Sequence, residues 1–323
     1  NTGTIQVGTM TAFITYSMQI VMAFLMITMF SVMLPRASVS AERIDEVLNT
    51  KVSIEDKPDT KANPVANGEV AFEHVSFAYP GAKENVLEDI SFIAKTGQTT
   101  AIIGGTGSGK TTLVNLIPRF FDVTKGKVMV DGTDIREMSQ ESLREAIGYV
   151  PQKGVLFSGT IASNLRYGKE DATKEQVMDA ARIAQAKEII DGKKDGLDSA
   201  IAQGGSNVSG GQKQRFSIAR AIVKDPKIYI FDDSFSALDY KTDAILRREL
   251  SMKTKEAAVI IVAQRISTIL HAEQIIVLNE GKIAGIGTHQ ELFDHCAVYR
   301  EIAESQLSEA DIAKLKAQGK EVM

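Results

Sequence analysis

The stretch GGTGSGKTT (104–112) leaves this chain the fewest options. Its glycines let the backbone curl until successive amides face one point, which makes a cradle for an anion. TTAIIG (99–104) in front of it is a short apolar run of strand type, and TTLVNLI (111–117) behind it is helical. A strand, a glycine loop and a helix N-terminus in that order form a phosphate site, because the helix end adds partial positive charge to the amides. Gly104, Gly109, Lys110 and Thr111 satisfy G-x-x-x-x-G-K-[ST], and Gly105, Thr106, Gly107, Ser108 and Thr112 complete the loop. Lys110 is expected to reach the β- and γ-phosphates of a nucleotide, and the Thr111 hydroxyl to ligate Mg²⁺. A plain glycine-rich turn is the alternative, and the strand–loop–helix setting argues against it. The loop alone does not separate an ATPase from a GTPase or a kinase.

A second constraint lies at the other end. Residues 1–35 contain no Asp, Glu, Lys or Arg. The mostly apolar run from Val7 to Leu34 spans about 40 Å as a helix, more than the ~30 Å hydrocarbon core of a bilayer. A secretory signal fits poorly: there is no basic start, the run is too long, and no small-residue cleavage site follows. We expect a transmembrane helix over 1–34 and, since Arg36 and Arg43 are the first charges, a cytoplasmic C-terminal side. A chain starting at Asn1, almost inside the membrane, is expected to be the C-terminal part of a longer membrane protein.

After Pro35, ASVSAERIDEVLNT reads as an amphipathic helix continuing out of the membrane, and the polar stretch from Lys51 to Gly68 as a linker. EVAFEHVSFAY (69–79) alternates like a half-buried strand. KVMVDG (127–132) is a strand with a turn, and 173–190 is helical. IYIF (228–231) and AVIIVA (258–263) are uninterrupted apolar strands of a largely parallel central sheet. QIIVLNEGKIAGIG turns as a hairpin at 279–282, and 301–323 reads as a solvated helical tail. The net charge of −4 gives no electrostatic reason to expect nucleic acid. The single cysteine, Cys296, excludes an internal disulfide and reads as a small buried residue.

Three further stretches decide the family. NVSGGQKQR (207–215) sets Ser209, Gly210 and Gly211 before a helix starting near Gln212, a second preorganised anion site. YVPQKGVLF (149–157) carries Gln152 after a strand, and IYIFDDSFSALD (228–239) runs from a buried strand into Asp232 and Asp233 and on to Asp239. In this order they resemble the nucleotide-binding domain of ATP-binding cassette (ABC) proteins over about residues 69–300. With the preceding apolar helix, the chain resembles an ABC exporter half-transporter.

The resemblance implies an α/β P-loop NTPase with a RecA-like core, a β-subdomain and a helical subdomain at about 155–222, preceded by one transmembrane α-helix, the last of its bundle. Five earlier membrane helices would lie outside this chain. By the same resemblance Tyr79 stacks on the adenine of ATP, where the plain alternative is a core aromatic at a strand end. Gln152 and Asp232 complete the Mg²⁺ site with Thr111. Ser209 and Gly211, with Gly210 and Gln212 beside them, face the γ-phosphate held by the opposite cassette, and Asp239 links the two sites. The implied partners are a second half-transporter, the lipid bilayer and a transported small molecule, drug, lipid or peptide. The implied location is the cell membrane, with the nucleotide-binding domain cytoplasmic.

The sequence departs from that family at two catalytic positions. The residue after the magnesium aspartate is usually glutamate, the presumed base for the attacking water; here it is Asp233. The switch histidine is replaced by Gln264 in AQRIST. Aspartate retracts the carboxylate by about one C–C bond, and ~1 Å of misplacement can cost about a hundredfold in rate. Gln264 keeps an amide donor but cannot carry a positive charge. We therefore expect a site that binds Mg-ATP and hydrolyses it slowly, in a chain whose VSGGQ completes a competent partner site. IAQGGSN (201–207) also lacks an E-R-G pattern common before the signature. The alternatives are a homodimer in which Asp233 still works, a non-hydrolysing regulatory subunit, and a cassette ATPase of DNA repair or translation, which the apolar helix argues against. Thr11, Thr15, Met18, Met22, Met26, Met29 and Met33 form one stripe of that helix, either a cavity-lining face or a helix-packing face.

Overall fold

The computed structural model describes residues 6–58, 60 and 64–306 and divides the chain into two units, 1–55 and 56–323. The first is a single helix, α1 (Val7–Leu48), continuous through Pro35. The sequence suggested that the helix after Pro35 continues the membrane helix, and here the two are one. The ring removes one N–H without ending the helix. Its apolar side chains, Phe13, Ile20, Phe24 and Met29 among them, are exposed within their unit, and the hydroxyls of Thr11, Thr15, Thr28 and Ser31 are absorbed by carbonyls four residues back. Length and composition suffice to cross a membrane.

The second unit is built on two sheets. β1 (Val70–Phe77), β2 (Leu87–Ala94), β4 (Lys125–Val130) and β5 (Thr133–Asp134) form an antiparallel sheet in the order β2-β1-β4-β5. β1 departs from strict alternation, because a bulge at His74, with φ of 48°, leaves Glu73 and His74 exposed side by side. The larger sheet has the order β12-β11-β3-β10-β9-β6, from β3 (Thr99–Gly104), β6 (Ile147–Val150), β9 (Ile228–Asp232), β10 (Ala258–Val262), β11 (Gln274–Asn279) and β12 (Lys282–Gly287). Its strands are parallel except for the hairpin strand β12.

The uninterrupted apolar strands are explained by cover on both faces. Ala101, Ile103, Phe231 and Ile261 face one core, while Ile102, Ile230, Ile260 and Val262 face the other. The second core is shared with α2 (Lys110–Leu116) and the antiparallel sheet, where Phe72 stacks on Phe92. α3 (Gln140–Glu145) precedes β6. The first core is closed by the helices between β6 and β9, namely α4 (Ile161–Arg166), α5 (Lys174–Ile183), α6 (Lys187–Asp191) and α7 (Gly210–Lys224), with the short pair β7 (Gly159–Thr160) and β8 (Ala200–Ile201). The stretch 173–190, read as one helix, is two: the chain breaks at Gln185, whose φ is 55°. α8 (Tyr240–Lys253), α9 (Ile266–Ile269), α10 (His289–His295) and α11 (Ala297–Gln306) follow β9. The start of the tail is not simply solvated, since Ala303 of α11 is completely buried. Residues 307–323 lie outside the described residues.

Candidate functional site

The C-terminal ends of the parallel strands converge where such sheets bind ligands. β3 runs into the glycine loop, and α2 leaves it from Gly109, whose φ of 96° serves as the left-handed entry to the helix. A Cβ there would meet Leu87 Cδ2 at 2.8 Å, so the glycine is required twice over. Gly105 and Gly107 face open space, leaving the cradle clear for a phosphate. Lys110 folds back on this cradle and donates to the carbonyl oxygens of Gly104 at 2.8 Å and Gly105 at 2.7 Å. Burial pushes its pKa down, opposed by the carboxylates of Asp233 and Asp232. A lysine held by its own loop is poised to exchange carbonyls for phosphate oxygens.

β9 ends in two aspartates that the backbone sends apart. Asp232 keeps strand geometry, and its Oδ1 accepts from the Thr111 hydroxyl at 3.1 Å. Its Oδ2 lies 3.4 Å from the Tyr149 hydroxyl, which also sits 3.0 Å from Asn115 Oδ1. Burial pushes the Asp232 carboxyl up, and the Thr111 hydroxyl partly restores it. Asp233 turns into the left-handed region with φ of 47°, its N–H donating to Val262 O at 3.0 Å. One of its oxygens, Oδ2, accepts from Gln264 Nε2 at 2.6 Å and from Gln152 Nε2 at 3.1 Å. The second acid is therefore held between two neutral amides.

Together these groups line a cleft of about 500 Å³ that contains the glycine loop, Gln152, Asp232, Asp233 and Gln264. Ser209 to Gln212 and Asp239 do not line it. Ser209 instead caps α7, accepting from Gln212 N while Gln212 Oε1 accepts from Ser209 N. Gly211 sits against Ala237, where an added Cβ would lie 3.2 Å from the Ala237 carbonyl oxygen. Asp239 caps α8 through Thr242 N at 3.0 Å, and that bond pulls its carboxyl below the usual range. Tyr79 also lies off the cleft lining. Its hydroxyl is 3.0 Å from Thr112 Oγ1, and its ring packs edge-on against Phe77 and Phe121.

Mg²⁺ suits the oxygens at this place, a hydroxyl and a carboxylate side by side with room for phosphate and water ligands. Among the described residues no group of three His, Cys, Asp or Glu offers an alternative metal cage. Gln152, assigned by resemblance to that metal set, here spends its amide on Asp233.

Sequence reasoning missed Gln214. It is 2% exposed inside α7, and its amide clasps the glutamine loop, accepting from Gly154 N at 2.9 Å and donating to Pro151 O at 3.2 Å. A glutamine on the buried side of α7, beside Phe216, Ser217 and Ile218, was the available signal, because such a group needs partners. Tyr149 and Asn115, which brace Asp232, carried no comparable mark.

Comparison with known proteins points to the ABC transporters. Residues 87–236 match the family described as ABC transporter. An ABC transporter ATP-binding protein of Mycobacterium tuberculosis is 49% identical over 317 residues, covering 97% of this chain and 54% of that protein. An ATP-dependent lipid A-core flippase of Legionella pneumophila is 37% identical over 303 residues, covering 94% of this chain and 51% of that protein. The solved structure of a bacterial Atm1-family ABC exporter with ATP bound superposes with a TM-score of 0.80 at 34% identity, covering 85% of this chain and 48% of that one. The chain spans about half the length of the curated relatives it matches.

Proposed function

From the premise that this chain carries the ATP-binding domain of an ABC transporter, we propose that it is the ATP-binding part of an exporter subunit. It couples ATP binding and hydrolysis to transport across the cell membrane. The cassette closes on a second cassette around two ATP molecules, on the cytoplasmic side. Its own site binds Mg-ATP and turns it over slowly, while its Ser209-Gly210-Gly211-Gln212 loop completes the partner's site. The bilayer surrounds α1, and the substrate is a small molecule, drug, lipid or peptide.

One observation carries the slow-site reading. The Asp233 carboxylate, which would orient the attacking water, has its Oδ2 tied to two neutral amides at 2.6 and 3.1 Å. Phosphoryl transfer is catalysed mainly by positioning and charge stabilisation. A retracted carboxylate lacks the first, and Gln264 cannot supply the charge of an imidazolium. Binding groups are untouched by either change: the glycine cradle, Lys110, Thr111 and Asp232 remain in place. Thr111 and Asp232 would hold Mg²⁺ in this reading, and a bound ion would supply charge neutralisation at the phosphates. Tyr79 offers its ring to the adenine, and Asp239 stands at the junction of the two sites.

The test is turnover in the reconstituted full-length transporter. Lys110→Ala is compared with the same change in the partner cassette. Loss of most activity from the partner change and little from Lys110→Ala is expected. Equal losses would establish two competent sites, and ordinary exporter rates from a homodimer of the full-length protein would remove the slow-site reading.

A further inference from the structure

We infer that Gln306, on the C-terminal helix, is a positioning residue of the nucleotide site. Its amide fixes the backbone of the loop that carries Gln264, and through it the contact between Gln264 and Asp233. The inference rests on the reading of those two residues as site groups. Gln306 Nε2 donates to the Gln264 carbonyl oxygen at 2.8 Å, and Gln306 Oε1 accepts from Ile266 N at 2.9 Å. One primary amide thus satisfies a C=O and an N–H two residues apart, as a neighbouring strand would. The Ile266 N–H belongs to the first turn of α9 and has no partner within its helix.

The clip is rigidly backed. α11 is anchored by Tyr299 and Ala303, both fully buried, and the Tyr299 hydroxyl lies 2.7 Å from His289 Nδ1. Ile302, Ser305 and Gln306 reach from that anchor into the cleft that holds the glycine loop. The arrangement repeats a device already seen: Gln214 clasps the backbone on either side of Gln152. Each amide that ties Asp233 Oδ2 therefore has its own loop held by a second glutamine.

The experiment uses the full-length transporter with the partner cassette's phosphate-loop lysine substituted, so that single-turnover ATP cleavage reports this chain's site. Gln306→Ala removes both bonds, and Gln306→Glu keeps the acceptor for Ile266 N while losing the donor to Gln264. Exchange of the Ile266 amide in deuterated buffer is expected to accelerate about tenfold or more in the alanine variant and little in the glutamate variant. Because loosening the loop releases the Asp233 carboxylate from the Gln264 amide, the single-turnover rate is expected to rise about threefold in both, with half-saturating Mg-ATP within about twofold of wild type. Faster exchange with an unchanged rate overturns the inference, as does loss of thermal stability with rate and affinity falling together. Absence of Mg-ATP binding by the unmodified protein would instead remove the functional reading, and this inference with it.

Discussion

Exchange of Asp233 for glutamate and of Gln264 for histidine should restore rapid hydrolysis at this chain's own site. The added methylene advances the carboxylate by about one C–C bond, and misplacement of ~1 Å is worth about a hundredfold, or about 2.7 kcal/mol of barrier. The two changes are coupled, because Gln264 Nε2 already sits 2.6 Å from Asp233 Oδ2. A glutamate alone pushes its longer arm into that amide, so Asp233→Glu should gain only about tenfold. Gln264→His alone frees the carboxylate but leaves it short, and should raise the rate by about threefold. The double variant should gain about a hundredfold, more than the product of the single effects. A small cost accompanies it, since aspartate tolerates the φ of 47° at this position better than glutamate. The assay is single-turnover ATP cleavage in the full-length transporter with the partner's phosphate-loop lysine substituted. A double variant within twofold of wild type would refute the geometric argument.

The remaining expectations concern binding, pH and the membrane helix. Gly109→Ala should abolish Mg-ATP binding, since φ is 96° and the new Cβ meets Leu87 at 2.8 Å, whereas Gly105→Ala, with open space around its Cβ, should leave thermal stability intact; equal melting temperatures for the two variants would contradict this. Burial makes Asp232 hold its proton more tightly folded than unfolded, so between the ordinary aspartate pKa and the raised one the unfolding free energy falls as pH rises. In the nucleotide-free protein the stability of Asp232→Asn relative to wild type should therefore grow with pH through that window and then level off; a difference independent of pH from about 4 to 7 argues against it. Met22→Ala with Met26→Ala should alter which substrates are moved while basal ATPase stays intact, and unchanged selectivity would leave the stripe a packing face.

Legibility followed the range of the interactions. The glycine loop, the parallel strands and the hairpin at 279–282 are local patterns, and the sequence displays them directly. The break in 173–190 was hidden because helix propensity continues through a left-handed turn at Gln185 that only packing demands. The bulge in β1 was hidden in the same way, since the broad alternation of EVAFEHVSFAY does not show that His74 turns over. Individual site residues were legible by type and order, but their contacts were not. Gln152 and Gln264 are 112 positions apart in sequence, and nothing in either stretch says that both donate to the same oxygen of Asp233.

The two aspartates state the limit most sharply. In IYIFDDSFSALD they are chemically identical neighbours. Strand periodicity would send their side chains to opposite faces, and the left-handed turn at Asp233 redirects the second one again. Asp232 consequently meets a hydroxyl on the phosphate-loop helix, and Asp233 meets two amides from distant loops. In the proposed reading the same functional group would thus be a metal ligand in one place and a tethered, retracted base in the other. What differs is the backbone conformation of one residue and the loops that conformation lets it touch. Full rescue of hydrolysis at the proposed slow site should therefore need the loop partner altered as well as the acid, because lengthening the acid alone leaves it aimed at an amide.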